Sequence, residues 1–181
     1  GVSFNGGSNN GGAAVDQADI LATNGIIHKV DAVIELPTVV TFASADANFS
    51  TLVSALTTLT PSTDFVEILS RTETGNVDTI DPPFTIFAPV NSAFEAITVP
   101  TDETELTAIL QYHVVSGANV TSSELQNGTV ATLNGDVTID TNGPTVTGSG
   151  NAEATTIIVT DVQAVNGVIH GIEDVLLPPA N

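Results

Sequence analysis

Two stretches of this chain follow the same pattern, and they lie at opposite ends of it. Residues Asp19 to Leu36 read DILATNGIIHKVDAVIEL, and Asp161 to Leu177 read DVQAVNGVIHGIEDVLL. Asn24, Gly25 and His28 return as Asn166, Gly167 and His170 at an offset of 142, and Leu36-Pro37 returns as Leu177-Pro178 after one residue of slippage. The residues before the two copies also match when a small gap is allowed. A chain that begins with a copy of its own last segment is read most economically as a tandem fragment. Residues 1–37 are then the C-terminal strands of a preceding repeat, or a donated segment, and residues 38–181 one complete unit. A period near 140 residues is too long for a solenoid and suits autonomous domains in series.

Within the complete unit the apolar spacing changes character part-way along. Phe49, Leu52, Val53, Leu56 and Leu59 fall at helical spacing behind Asp46 or Asn48 as N-cap, and Phe65, Ile68 and Leu69 continue it after Pro61. Residues 72–83 form a polar connection ending in Asp81-Pro82-Pro83, and residues 84–87 alternate as a buried strand. Ala93, Phe94 and Ile97 make a short helix. A further helix starts at Asp102, which pairs with Glu105 in a capping box and presents Leu106, Ile109, Leu110, His113 and Val114. After Gly117 come short alternating segments at residues 130–133, 137–140, 145–147, 155–161 and 168–176. The Asn-Gly pairs at 127, 134, 142 and 166 punctuate them as tight turns that ask for positive φ. Val, Ile and Thr make up 62 of the 181 residues, which favours pleated structure. The expected class is α+β, a helical first half packed on an antiparallel β-sandwich or sheet second half.

Three strings occur in order in this unit: FTIFAPVNSAF at residues 84–94, LQYHVVSG at 110–117 and NGVIHGIEDVLLP at 166–178. They resemble the first signature, the central Tyr-His segment and the second signature of the fasciclin (FAS1) domain family. The resemblance covers roughly residues 39–178, and residues 1–37 resemble the end of a preceding copy. Val90 stands where the family commonly has Thr, and the first helical region is longer than usual around residues 60–64. The resemblance implies a wedge-like α+β fold in an extracellular or cell-surface protein, with tandem copies, a role in cell adhesion and no catalytic activity. It implies that Phe87, Ala88, Pro89, Asn91, Phe94, Asn166, Gly167 and His170 are structural motif residues. It links Tyr112 and His113 to receptor recognition in animal adhesion proteins. The same two residues also read as framework, the Tyr hydroxyl bonded and the His satisfied at a helix end.

Composition narrows the partners. With 2 Lys+Arg against 21 Asp+Glu the formal charge is −19, which excludes nucleic acid and anionic membrane surfaces. Other surface or matrix proteins, glycans and neighbouring copies of the same domain remain. No apolar run is long enough to insert in a membrane. The two cations, Lys29 and Arg71, can neutralise two carboxylates directly, and the rest must be solvated, hydrogen-bonded or ion-bound. Stability should therefore rise with salt. Cys is absent, so no disulfide and no thiolate chemistry is available. Three histidines, two of them equivalent repeat positions, leave no zinc or haem ligand set within one unit and no catalytic triad; no cofactor is expected. No calcium-loop string occurs around residues 136–140. The glycines at 6–7 and 11–12 lack the strand-to-helix context of a nucleotide loop. Sequons at Asn48, Asn119 and Asn127 fit a surface protein if its source glycosylates. An apolar strand at residues 26–36 does not stay unpaired in water. The alternative to an adhesion module is therefore a subunit of a surface filament that polymerises by strand addition through residues 1–37.

Overall fold

The computed structural model describes residues 2–4, 12–34 and 36–179. Of the loop glycines, Gly6, Gly7 and Gly11 lie outside them.

Two sheets form. The first has three strands, β1 (Ser3–Phe4), β2 (Ala13–Ala22) and β3 (Gly25–Val30), in the order β1-β2-β3. The chain then enters the helical half of the unit: α1 (Val39–Ala45), a 3₁₀ turn at Ala47–Phe49, α2 (Ser50–Ser54), a π turn at Ala55–Leu59 and α3 (Phe65–Ser70). β4 (Phe84–Pro89), α4 (Asn91–Glu95) and α5 (Glu103–Gln111) follow. Six strands follow among the described residues: β5 (Val114–Ser116), β6 (Gly128–Thr132), β7 (Gly135–Asp140), β8 (Thr145–Gly148), β9 (Thr155–Ala164) and β10 (Gly167–Ile172). The second sheet runs β5-β4-β10-β9-β8-β7-β6.

The α+β class holds, with helices followed by a large sheet. The sheet is mixed, because β10 lies parallel to β4, from Gly167 opposite Phe84 to Ile172 opposite Pro89. Alternation within single strands carries no information on this partner, since both strands are buried along their whole length. β4 separates two apolar cores. Phe84, Ile86 and Ala88 face the helices with Phe49, Leu52, Phe65, Leu69, Leu106 and Ile109, while Phe87 faces Tyr112, Val137, Ile139, Val146, Ile157 and Leu176.

Local chemistry explains most boundaries. Asp64 and Asp102 cap α3 and α5 by accepting from the N–H groups of Glu67 and Glu105, and Thr38 caps α1 by accepting from Thr41. The helix expected behind Asp46 or Asn48 is instead a 3₁₀ turn, one α turn and a π turn, and α1 precedes it unheralded by any strong apolar period. The hydroxyls of Ser54 and Thr57 donate back to the carbonyls of Ser50 and Val53, at 3.0 Å and 2.7 Å, and such back-bonding bends helices. The last helix stops at Gln111, one residue before Tyr112, so His113 and Val114 leave its face. Val114 opens β5, a strand too short to announce itself in the pattern. Of the Asn-Gly turns, Gly128, Gly135 and Gly167 have positive φ and Gly143 does not.

Arg71 reaches two carboxylates, Glu67 and Asp78, at 2.8 Å each, and Lys29 pairs with Asp16. Two cations thus engage three carboxylates rather than two, because a guanidinium fork can serve two partners at once.

Candidate functional site

The Tyr-His pair lies in the interior. Tyr112 is fully buried, its ring edge against the backbone of Gly135 and Gly148, where a β-carbon would stand 3.4 Å and 2.9 Å from the ring. Its hydroxyl donates to the carbonyl of Asp136 and accepts from the N–H of Ser149 at 3.0 Å. One phenol therefore ties the start of β7 to the residue after β8. His113 is buried as well. Its Nδ1 meets the Ile109 carbonyl at 2.8 Å, and its Nε2 accepts from the Leu176 N–H at 2.9 Å, which sets Nδ1 as the protonated nitrogen. Burial disfavours the charged ring and pushes its pKa down to about 4, against a smaller opposing effect of the Ile109 carbonyl. Neither side chain presents surface to a partner. The geometry is that of a framework, holding the end of α5 to the segment after β10 on one side and to the open end of the β7–β8 hairpin on the other.

The motif residues of the first string converge on the helical half. Phe87, Ala88 and Pro89 are buried in β4, and Phe94 is buried in α4. Asn91 accepts from the Thr51 N–H at 2.9 Å and donates to the Ala47 carbonyl at 2.8 Å, so it fastens the start of α4 to α2. The second string does the same from the other end of the chain. Asn166, in the turn between β9 and β10, accepts from the Val39 N–H at 3.0 Å and donates to the carbonyls of Leu69 at 2.7 Å and Arg71 at 3.0 Å. It joins the N-terminus of α1 to the C-terminus of α3 through one amide. Gly167 admits β4, since a β-carbon there would stand 2.1 Å from the Phe84 carbonyl oxygen. His170 stacks on Phe87 with ring centroids 5.9 Å apart, meets the Val120 carbonyl through Nε2 at 2.9 Å, and faces the Asp161 N–H through Nδ1 at 3.5 Å.

Further supports carry no sequence signal beyond being polar residues, in loops or, for Thr85, within β4. Asn151 accepts from the Leu177 N–H and donates to the Val175 carbonyl, and Thr85 donates to Ala118 and accepts from Val120. Asp81 accepts from the N–H groups of Asn76 and Gly75, which hold its carboxyl below the usual range. Among the described residues no three His, Asp or Glu side chains converge as a metal site. An apolar cleft between α1, α2, α3 and β4, lined by Val39, Leu52, Leu56, Phe65 and Leu69, encloses about 40 Å³, space for a few waters only. No single helix among the described residues is long and apolar enough to cross a membrane. Asn48, Asn119 and Asn127 are all exposed.

The first sheet repeats the end of the second, residue by residue, at the offset of 142. β1 pairs with β2 through Ser3–Ala14 and Phe4–Ala13, and β8 pairs with β9 through Thr145–Thr156 and Val146–Thr155. The β2–β3 register, Ala22–Gly25, Leu21–Ile26, Ile20–Ile27, Gln17–Lys29 and Val15–Val30, is that of Ala164–Gly167, Gln163–Val168, Val162–Ile169, Val159–Gly171 and Ile157–Ile172, both irregularities included. Asp19 and Asp161 share a left-handed conformation, φ 57° and 61°, and each directs its N–H at Nδ1 of its own histidine, His28 or His170. Equal spacing between Ser3 and Ile34 means that the small gap expected ahead of the repeat is not needed.

The comparisons agree with this geometry. A protein of Synechocystis sp., sll1483, is 38% identical over 151 residues, which cover 78% of this chain and 74% of that protein. Human periostin is 28% identical over 175 residues, 92% of this chain and 19% of that protein. Residues 38–181 are 144 of 181, or 80%, so a match to 92% of the chain enters residues 1–37. The solved structure of a FAS1 domain pair from the insect cell adhesion molecule Fasciclin I shares the fold, with a TM-score of 0.63, 22% identity, and coverage of 93% of this chain and 61% of that one. The Fasciclin domain model matches residues 47–178, and with the sequence relatives and the shared fold this makes the chain a member of the Fasciclin domain family.

Proposed function

We propose that this chain is a non-enzymatic adhesion module of an extracellular or cell-surface protein, with residues 38–181 as its complete unit and residues 1–37 as the closing strands of a preceding one. Family membership supports the adhesive role, and the internal copy supports the tandem arrangement. The observation that carries the non-enzymatic part is the commitment of the reactive side chains. Each of the three histidines accepts a backbone N–H at one ring nitrogen, so the lone pair that a base would use is already engaged. Tyr112 and His113 then serve attachment only through the surface they hold in place, around Asp136 and Ser149. A formal charge of −19 favours basic faces of matrix or surface proteins, or neutral glycans, over sulfated ones.

The test is attachment of the full chain, immobilised on beads, to a panel of cells, basic matrix proteins, neutral glycans and sulfated glycans. Binding to basic proteins that weakens as salt rises through about 0.1 M is expected. Attachment to none of these surfaces above an inert control contradicts the reading.

One observation favours the filament alternative. Among the described residues β3 pairs with β2 alone, and Ile26, Ile27, Val33 and Leu36 beside that open edge are exposed. If the edge joins whole copies, light scattering and negative-stain images of the full chain in near-marine salt show fibres; monodisperse monomers remove that reading.

A further inference from the structure

The complete unit contains a template for what should cover the first sheet. In β10 and the residues after it, Val168, Ile169, Val175 and Leu176 are 0%, 2%, 1% and 0% exposed. Their counterparts Ile26, Ile27, Val33 and Ile34 are 57%, 57%, 84% and 47% exposed. The apolar character is kept at all four positions and the cover is missing at all four.

Two polar features tell the same story. Asn166 spends its whole amide on α1 and α3, whereas Asn24, with the same place in the same turn, is exposed. Gly167 is required because β4 passes so close that a β-carbon would strike the Phe84 carbonyl. Gly25 keeps the glycine with nothing within 4 Å of a β-carbon built there. Its backbone does not adopt a positive φ either. The glycine answers a close approach that the described residues do not supply.

A second whole copy cannot provide that approach. Its β4 is flanked by β5 on one edge and β10 on the other, so it has no edge to offer. We infer that the open face of the β2–β3 hairpin receives the helical half and the β4-type strand of a Fasciclin unit that lacks its own last hairpin, with that strand parallel to β3 as β4 is to β10. The inference rests on reading residues 1–37 as strands of a second unit and is independent of what the module adheres to. One substitution shapes the partner further. Lys29 stands where a β-carbon built on Gly171 lies 3.1 Å from Val159 of the neighbouring strand and in ordinary contact, 3.5 Å, with the ring of Phe49, so the lysine stem lies against the covering unit's counterpart of Phe49.

The experiment extends the full chain with a second copy of its own helical half and β4. Residues 38–143 are placed ahead of Val2, which matches the 142-residue offset, and Lys29→Gly restores the residue that Gly171 supplies in the covered copy. Residue-resolved hydrogen exchange is then compared with the unextended chain. The expected result is that amides of β3 slow by at least about a hundredfold, towards those of β10. Gly25→Val is the second arm: harmless to the melting temperature of the unextended chain, and in the extended chain it returns β3 to fast exchange. Unchanged exchange in β3 on extension overturns the inference, as does protection of β3 in the unextended chain through dimers or fibres, which would make a whole copy the occupant. Indifference of the extended chain to Gly25→Val also overturns it, because no strand would then be passing Gly25.

Discussion

Protonating His113 would put an N–H on Nε2, facing the Leu176 N–H that it now accepts, inside a core that disfavours the charge. The folded pKa of about 4 lies below the ordinary histidine value of 6.5. Between those two values the unfolded chain binds the proton and the folded chain does not, so stability rises with pH across the window and is fully present above it. The contribution is about 3 kcal/mol over the whole window, from about 1.4 kcal/mol per pH unit. Urea midpoints measured from pH 4 to 7 should climb in the natural chain and climb less in His113→Gln; equal slopes would contradict this account. Alanine at Tyr112 or His113 tests the fold before it tests adhesion, since both side chains are interior.

At the scale of elements, one turn and its copy make opposite predictions. Asn166→Ala strands the Val39 N–H and the carbonyls of Leu69 and Arg71, and should cost about 3 kcal/mol. Asn24→Ala, at an exposed turn, should change stability by less than about 0.5 kcal/mol. Thermal melts of the two variants separate them by roughly 10 °C, and equal losses would mean that the Asn24 turn is already covered. The sequence reveals these elements unevenly. Asp102 announces its helix because capping is local, whereas the restart expected after Pro61 falls at Asp64, the cap of α3. The strings around Phe87 and Asn166 point to the framework only through their resemblance to the family's signatures. The parallel pairing of β4 with β10 stays hidden: its partners are some 80 residues apart, and strands buried on both faces show no alternation. A framework role with a bonded hydroxyl is one of the two sequence readings of Tyr112; its partners Asp136 and Ser149 stay hidden, because only the folded sheet brings them to it.

For the molecule as a whole, charge and repetition dominate. Among the described residues three carboxylates have a lysine or arginine partner, and the formal charge of the chain is −19. Raising salt from 0.01 M to 1 M shortens the Debye length from about 30 Å to about 3 Å and relieves the repulsion. The melting temperature should rise by on the order of 5 °C over that range; a flat or falling curve would show that the carboxylates are neutralised in some other way. The repeat makes a sharper claim, that one chain holds the same hairpin twice, once covered and once open. Hydrogen exchange on the monomeric full chain tests it most directly. The amides of β10 should be among the slowest in the molecule, while those of β3, in the same register on an equivalent partner, exchange orders of magnitude faster. Equal protection of the two strands would contradict the account.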